Sequence, residues 1–192
     1  CLSTYAATLS IPNSSGNSGA TVQIPVNIDN AEGVAGFQFT ITYNSAVLQP
    51  TGVQAGSLTG GWMIVPNLTV SGQVTAAGSN PALSGLPATN GSLAIITFNV
   101  VGNPGETANL NFSFHKIVDA YGATMQSSAQ GGVFTVNIVE NPSLLVSPNT
   151  LDFGTSSTTQ SLSIRNNGTG TLNWNIGSVQ YNQGTNWVSS IT

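Results

Sequence analysis

The sequence predicts an all-β protein built from sandwiches of short strands. Apolar and polar residues alternate with a period of two along several runs, which is the pattern of strands that bury one face. Clusters of Gly, Asn, Ser and Pro separate these runs and predict turns. No segment carries the 3.6-residue apolar stripe of a capped amphipathic helix. We therefore expect about nine strands in the first part of the chain, a number typical of sandwich folds.

Five alternating runs are the clearest strands of this first part. They cover residues 22–28, 37–43, 96–100, 110–114 and 134–138, with turns expected at 13–16, 60–61, 102–105 and 131–132. Pro25 lies on the polar side of the first run. Because proline has no N–H to donate to a ladder, it predicts a sheet edge or a bulge at this point.

A second β module begins after a break at residues 140–143. Apolar residues alternate again at Leu162 and Ile164, and once more at Leu172, Trp174 and Ile176. The stretch 143–192 has room for four or five short strands, whereas an immunoglobulin-like sandwich takes about seven strands in roughly 100 residues. The predicted domains are therefore a sandwich at 1–140 and an incomplete module at 141–192.

The charge content argues against several classes of function. The 192 residues include 2 Lys+Arg, 6 Asp+Glu, 1 His and 1 Cys. Acid–base, nucleophilic and metal-assisted catalysis need clusters of such groups, so we expect no enzyme, no catalytic residues, no bound metal and no cofactor. Nucleic acids and anionic membranes need a basic patch, which Lys116 and Arg165 cannot supply. No apolar run is long enough to span a bilayer, and the neutral, hydroxyl-rich composition is typical of secreted proteins.

Residues 6–139 resemble a bacterial or archaeal cohesin domain. The resemblance rests on blocks in a characteristic order, which are residues 7–11, 22–28, 34–44, 53–58, 91–98 and 131–136. It implies a nine-stranded jelly-roll sandwich without catalytic activity, of the kind that binds dockerin modules in cell-surface enzyme complexes. Asn44 departs from the acidic residue that often follows the tyrosine in that family. For this reason, no dockerin-binding face is transferred residue by residue.

The second module is similar to the front half of a BACON-type immunoglobulin-like module of bacterial surface proteins. Residues 145–154 and 163–174 carry this resemblance. It implies a spacer or a binding module, although the later strands of that family have no counterpart in the sequence.

An incomplete sandwich leaves apolar surface and backbone hydrogen-bonding groups uncovered, which is unfavourable in water. We therefore expect a strand from a neighbouring copy, with Cys1–Ile11 as the candidate donor, to complete it by strand complementation. Head-to-tail contacts of this kind propagate as a filament unless they close into a ring. The predicted function is a structural subunit of an extracellular, cell-surface filament. The alternatives are a chain cut within its second domain, a dockerin-recognising module, and a carbohydrate-binding module for a surface polysaccharide.

Single residues add a few candidate sites. Cys1 is a candidate for lipid anchoring or for an intermolecular disulfide, with an inert thiol as the alternative. Asn13, Asn90 and Asn167 are candidate glycosylation acceptors in turns. Trp62 follows Gly60-Gly61 and is the candidate ligand-facing aromatic residue.

For three polar residues a structural role is the better interpretation. Lys116 lies on the apolar parity of its strand, where a buried lysine would suit a Lys–Asn isopeptide cross-link, but a bulge or a snorkelling side chain is the favoured explanation. The turn with Asp29 and Glu32 has too few oxygen ligands to favour calcium over solvated turn residues.

Overall fold

The computed structural model describes residues 6–155, 159–182, 184, 188, 190 and 191, and these form two compact units, Cys1–Ile138 and Val139–Thr192. The described residues contain strands and no helix, as the alternating sequence predicts. The first unit contains β1 (Ala7–Ser10), β2 (Ser14–Gly16), β3 (Thr21–Ile28), β4 (Gly36–Thr42), β5 (Leu48–Ala55), β6 (Met63–Asn67), β7 (Gln73–Ser79), β8 (Gly91–Val100), β9 (Thr107–Val118), β10 (Thr124–Met125), β11 (Ser127–Gln130) and β12 (Gly132–Val136). The second unit contains β13 (Leu144–Ser147) and β14 (Ser163–Asn166).

Two sheets form the sandwich of the first unit. The first sheet has the strand order β11-β1-β3-β8-β5, and the second sheet has the order β2-β12-β9-β4-β7-β6, with β10 paired to β9. Apolar residues from both sheets share one buried cluster, in which Phe39, Phe98 and Phe134 are the largest fully buried side chains. The prediction of an all-β sandwich is confirmed.

The N-terminal strand is an integral part of this sandwich. In the first sheet, β1 pairs antiparallel with β3 and parallel with β11. Ala7, Leu9 and Ile11 are buried in the core. The expectation that Cys1–Ile11 is a free donor strand is therefore wrong for residues 7–11, because their backbone and apolar side chains are already used within the same unit. Residues 1–5, including the candidate anchor Cys1, lie outside the described residues.

Pro25 occupies a place where β3 has a neighbour on one side only. The whole of β3 pairs with β8, but β1 pairs only with Asn27 and Ile28. The register with β8 also shifts between Val26 and Asn27. An edge or a bulge is expected at Pro25, and both a one-sided stretch of β3 and a nearby register shift are found.

The outer strands of both sheets are protected against strand addition. At one edge, β5 carries Pro50 with a register shift and β6 carries Pro66. At the other edges, β2 has 3 residues and β11 has 4. Prolines, bulges and short strands are the usual protection of sheet edges, so a charge-poor sequence still limits edge-to-edge pairing of this unit.

The second unit has no buried residue among its described positions. Its two strands, β13 and β14, form an antiparallel pair, and the backbone N–H of Asn167 donates to the carbonyl of Ser143 at 2.7 Å. Leu144, Trp174 and Ile176 are each about half exposed. Among the described positions of this unit, no further strand covers the pair as the four or five expected strands would, and the BACON-like assignment stays a prediction.

Helices of the length and apolarity needed to cross a membrane are absent from the described residues.

Candidate partner-binding face

The outward side of the second sheet provides a broad polar and apolar surface. Along β4, Phe37, Phe39 and Ile41 point into the core, and the alternate side chains point outward. We call the outward side chains of β6, β7, β4 and β9 the outer face. Its members include Met63, Val65, Asn67, Gln73, Thr75, Ala77, Gln38, Thr40, Thr42, Asn111, Phe114 and Lys116.

A bulge in β9 determines which residues reach the outer face. Phe112 lies opposite Ile41 and Phe114 lies opposite Thr40, which leaves Ser113 as the extra residue. The Ser113 hydroxyl donates to the Thr40 carbonyl at 3.2 Å. The bulge reverses the parity of the strand, so Phe112 packs edge-on against Phe39 while Phe114 is 44% exposed.

The same bulge turns Lys116 away from the core, so the buried lysine that would suit an isopeptide cross-link is not found. Lys116 lies two residues beyond Phe114, opposite Gln38, and is exposed. Simple alternation from Leu110 assigns it inward, but the extra Ser113 places it outward. The bulge alternative is therefore correct.

Cross-strand pairing arranges the outer face in rows. One row joins Val65 to Ala77, Ala77 to Gln38, and Gln38 to Lys116. The next row joins Asn67, Thr75, Thr40 and Phe114, and the hydroxyls of Thr40 and Thr75 lie 3.0 Å apart. Val65 is 59% exposed and Met63 is 68% exposed. Exposed apolar groups interspersed with amides and hydroxyls are typical of a surface that binds another protein.

Lys116 is the single cation among the described residues of the first unit, and none of those residues forms an ion pair with it. The nearest acid in sequence, Asp119, uses its Oδ1 to accept the N–H groups of Tyr121 and Ala123, both at 2.9 Å. The outer face therefore presents one positive charge without an anionic partner of its own.

His115 lies between the two sheets and contacts residues of both. It points inward opposite Phe39, its ring contacts Phe112 edge-on, and its Nε2 lies 3.3 Å from the Ser127 carbonyl of β11. Within the described residues, no three His, Cys, Asp or Glu side chains come together as a metal site would require.

Trp62 is half-buried and packs against the core cluster. Its ring stacks on Phe37 with a centroid distance of 6.2 Å and an interplanar angle of 22°. The preceding loop is fixed by the fully buried Thr59, whose hydroxyl donates to the Leu93 carbonyl at 2.7 Å and accepts the Gly56 N–H. One face of the indole ring is therefore covered by Phe37, and a ligand-facing role for Trp62 stays a prediction.

The three candidate glycosylation acceptors are all exposed. Asn13 also binds β12, since its Oδ1 accepts the Val133 N–H at 2.8 Å. For all three residues, modification stays a prediction.

The acidic turn after β3 uses its oxygens locally. Asp29 accepts the Thr8 N–H at 2.7 Å, and Asn30 accepts the Glu32 N–H at 3.1 Å. The hydrogen bond from the Thr8 backbone lowers the pKa of Asp29 below its ordinary value. The carboxylate connects this turn to β1, which supports the structural interpretation of the turn.

Two loops border the outer face, and sequence reasoning did not assign them to the site. The side chain of Leu83 is 74% exposed and that of Tyr121 is 96% exposed. Tyr121 stands in a turn between Asp119 and Gly122, a pattern that could have identified it. Nothing in the sequence around Leu83 indicates its unusual backbone conformation.

Known proteins share this fold. A sequence profile described as a cohesin domain matches residues 7–103. The non-cellulosomal cohesin of the archaeon Archaeoglobus fulgidus is 22% identical, with a TM-score of 0.61, over 69% of this chain and 92% of its own. The sixth cohesin of Acetivibrio cellulolyticus scaffoldin B, solved with a dockerin, is 23% identical, with a TM-score of 0.60, over 69% and 99%.

A third structure is a cohesin–dockerin complex of Clostridium thermocellum, which is 16% identical, with a TM-score of 0.61, over 70% of this chain and 96% of its own. Among curated proteins, none matches the chain in sequence. At these identities the structures show the fold, and the predicted cohesin-like jelly roll is confirmed.

Proposed function

Because the chain belongs to the cohesin family, as residues 7–103 show, we propose that it is a binding module that recognises a dockerin-like protein through its outer face. Cohesins are non-catalytic structural and binding modules, typically of cell-surface or extracellular scaffolds. The composition fits this class, because the few titratable side chains of the described residues do not gather into a site.

The observation that carries the proposal is the composition of the outer face. Val65, Phe114 and Met63 are exposed on the outer face, between amides and hydroxyls that offer hydrogen bonds. Burial of such apolar groups against a partner supplies most of the binding free energy, and the polar groups around them provide specificity. Solved cohesins of Acetivibrio cellulolyticus and Clostridium thermocellum form complexes with dockerins, which supports a partner of the same class here.

The direct test is calorimetric titration of the full chain with a panel of dockerins that includes those of these two organisms. We expect at least one member to bind with a Kd of about 1 μM or tighter, as standard protein interfaces do. Val65→Asp should weaken that binding at least tenfold, because it buries an unpaired charge. The control is Val101→Asp, which changes a valine that is 49% exposed and follows β8 of the first sheet.

Two results would contradict the proposal. One is the absence of binding across the panel. The other is equal weakening by Val65→Asp and Val101→Asp, which would show that the loss is not specific to the outer face.

A second candidate role is self-association through the second unit, as in the predicted surface filament. Its support is the exposed apolar surface around β13 and β14, with no buried residue among the described positions of that unit. A strand from another protein could complete this pair, although residues 7–11 of the same chain are occupied in their own sandwich. Electron microscopy and light scattering of the full chain test this role, and a monomer at high concentration would contradict it.

Carbohydrate binding is the remaining alternative. A depression of about 360 Å³ is lined by Tyr43 and neutral polar residues such as Ser45, Gln49 and Thr69. The Tyr43 ring packs edge-on against Phe98 at 5.5 Å, which limits its use as a stacking platform. A glycan array is the test, and binding that survives Val65→Asp would favour this site over the outer face.

A further inference from the structure

Leu83 adopts a backbone conformation that leucine rarely takes. Its φ angle is 51°, in the left-handed region, where glycine and asparagine are favoured. The loop around it is well fixed, since the Leu83 N–H donates to the Asn80 carbonyl at 3.0 Å and the Asn80 amide donates to the Ser84 carbonyl at 2.7 Å. The side chain is 74% exposed, so burial in the core does not compensate for this conformation. Strain of this kind is concentrated at functional sites.

Tyr121 is also an exposed side chain on a loop that hydrogen bonds hold in place. The turn is closed by the Asp119 N–H, which donates to the Ala123 carbonyl at 3.0 Å. The Asp119 carboxylate accepts two further N–H groups of the turn, and Gly122 has a φ of 81° that the turn requires. The turn is thus fixed by its own hydrogen bonds while the ring is 96% exposed.

A depression of about 300 Å³ lies beside these loops and continues into the outer face. Leu83, Asp119, Ala120 and Gly122 line it from the loops, with Lys116 from β9. Strand residues that also line it include Gly36, Gln38, Ala77, Ser79 and Val118. Gly36 keeps it open, because a Cβ at this position would lie 2.9 Å from Val118 Cγ2.

From this arrangement, and resting on the proposed function, we infer that an apolar side chain of the dockerin-like partner enters the depression and packs against Leu83, while the exposed Tyr121 ring contacts the partner from the neighbouring turn. A partly enclosed, mostly apolar pocket next to rigid exposed anchors is the usual setting of an interface hot spot. Leu83 is then a specificity-determining residue whose strain is retained for binding.

The inference predicts opposite effects of one substitution on stability and on binding. Asparagine tolerates the left-handed region, so Leu83→Asn should leave the melting temperature of the free chain unchanged or raise it. The same variant should bind the dockerin identified by the panel at least tenfold more weakly, because the apolar anchor is lost. Tyr121→Ser should also weaken binding about tenfold without lowering the melting temperature.

Val101→Asn serves as the matched control, since Val101 is 49% exposed and follows β8 of the first sheet. It should bind as the wild type does. If Leu83→Asn and Tyr121→Ser bind within twofold of wild type while Val65→Asp does not bind, the depression is not the hot spot and the outer face still stands. If Val65→Asp also binds normally, the outer face itself is wrong.

Discussion

At the scale of single residues, Asp29 is a carboxylate whose protonation is coupled to folding. It accepts the Thr8 N–H at 2.7 Å, and this hydrogen bond lowers its pKa from the ordinary value of 3.8. A lowered pKa means that the stabilising contribution is present above the unfolded-state pKa and is lost as the pH falls through the folded-state value. The contact joins the turn after β3 to β1.

We therefore expect Asp29→Asn to lower the melting temperature at neutral pH, since a neutral amide accepts this hydrogen bond more weakly than a carboxylate does. The difference from wild type should shrink between about pH 5 and pH 2, as wild-type Asp29 becomes protonated. Thermal unfolding followed by circular dichroism across this range is the measurement. A difference that stays constant or grows toward low pH would show that the carboxylate charge is not responsible.

Lys116 gives the second residue-scale prediction. It is the one cation among the described residues of the first unit, and it forms no ion pair with them. We therefore expect it to pair with a carboxylate of the partner. Lys116→Gln should weaken dockerin binding by about twofold to tenfold at low salt, and the difference should fall in 1 M salt, because exposed charge pairs are screened. Lys116→Arg should restore the salt dependence. An affinity of Lys116→Gln equal to wild type at both salt concentrations would remove Lys116 from the interface.

At the scale of elements, the bulge in β9 shows what the sequence could and could not predict. Alternation correctly predicted Phe37, Phe39 and Ile41 as inward residues of β4, because that strand is regular. It failed beyond Ser113, because one extra residue leaves the apolar character of the run unchanged while reversing its parity. The outer face could not be drawn correctly from the sequence for this reason.

Deletion of Ser113 tests the role of the bulge. Deletion removes the unpaired residue but leaves Phe112 opposite Ile41 and Phe114 opposite Thr40, so Phe114 and Lys116 should stay outward. We expect the deletion to cost about 1 kcal/mol, as Ser113→Ala should, because both variants lose the hydrogen bond to Thr40 and neither buries a charge. Denaturant unfolding gives both values. A cost of about 3 kcal/mol or more for the deletion alone would show that β9 does not tolerate a regular register.

At the scale of the whole molecule, stability is concentrated in the first unit. All the residues that form the buried apolar core lie between Ala7 and Val136. The sequence break at 140–143 lies close to the division between the compact units after Ile138. The assignment of 1–140 and 141–192 as domains stays a proposal, as does the immunoglobulin-like identity of the second. Sequence alternation can predict strands, but which partner covers their apolar sides depends on contacts that alternation does not encode.

A chain ending at Ile138 should therefore keep its melting temperature within about 5 °C of that of the full chain. A shift of this size corresponds to roughly 1 kcal/mol in the free energy of unfolding for a domain of this size. The shortened chain should also keep its affinity for a dockerin. A large loss of stability in differential scanning calorimetry would show that residues 139–192 contribute to the core of the first unit.

The central claim is that the outer face of the second sheet binds a dockerin-like partner. Calorimetric titration of the full chain, its Val65→Asp variant and its Val101→Asp variant with the dockerin panel tests it most directly. The account predicts binding by the wild type and by Val101→Asp, and at least tenfold weaker binding by Val65→Asp. Absence of binding across the panel, or undiminished binding by Val65→Asp, would contradict it.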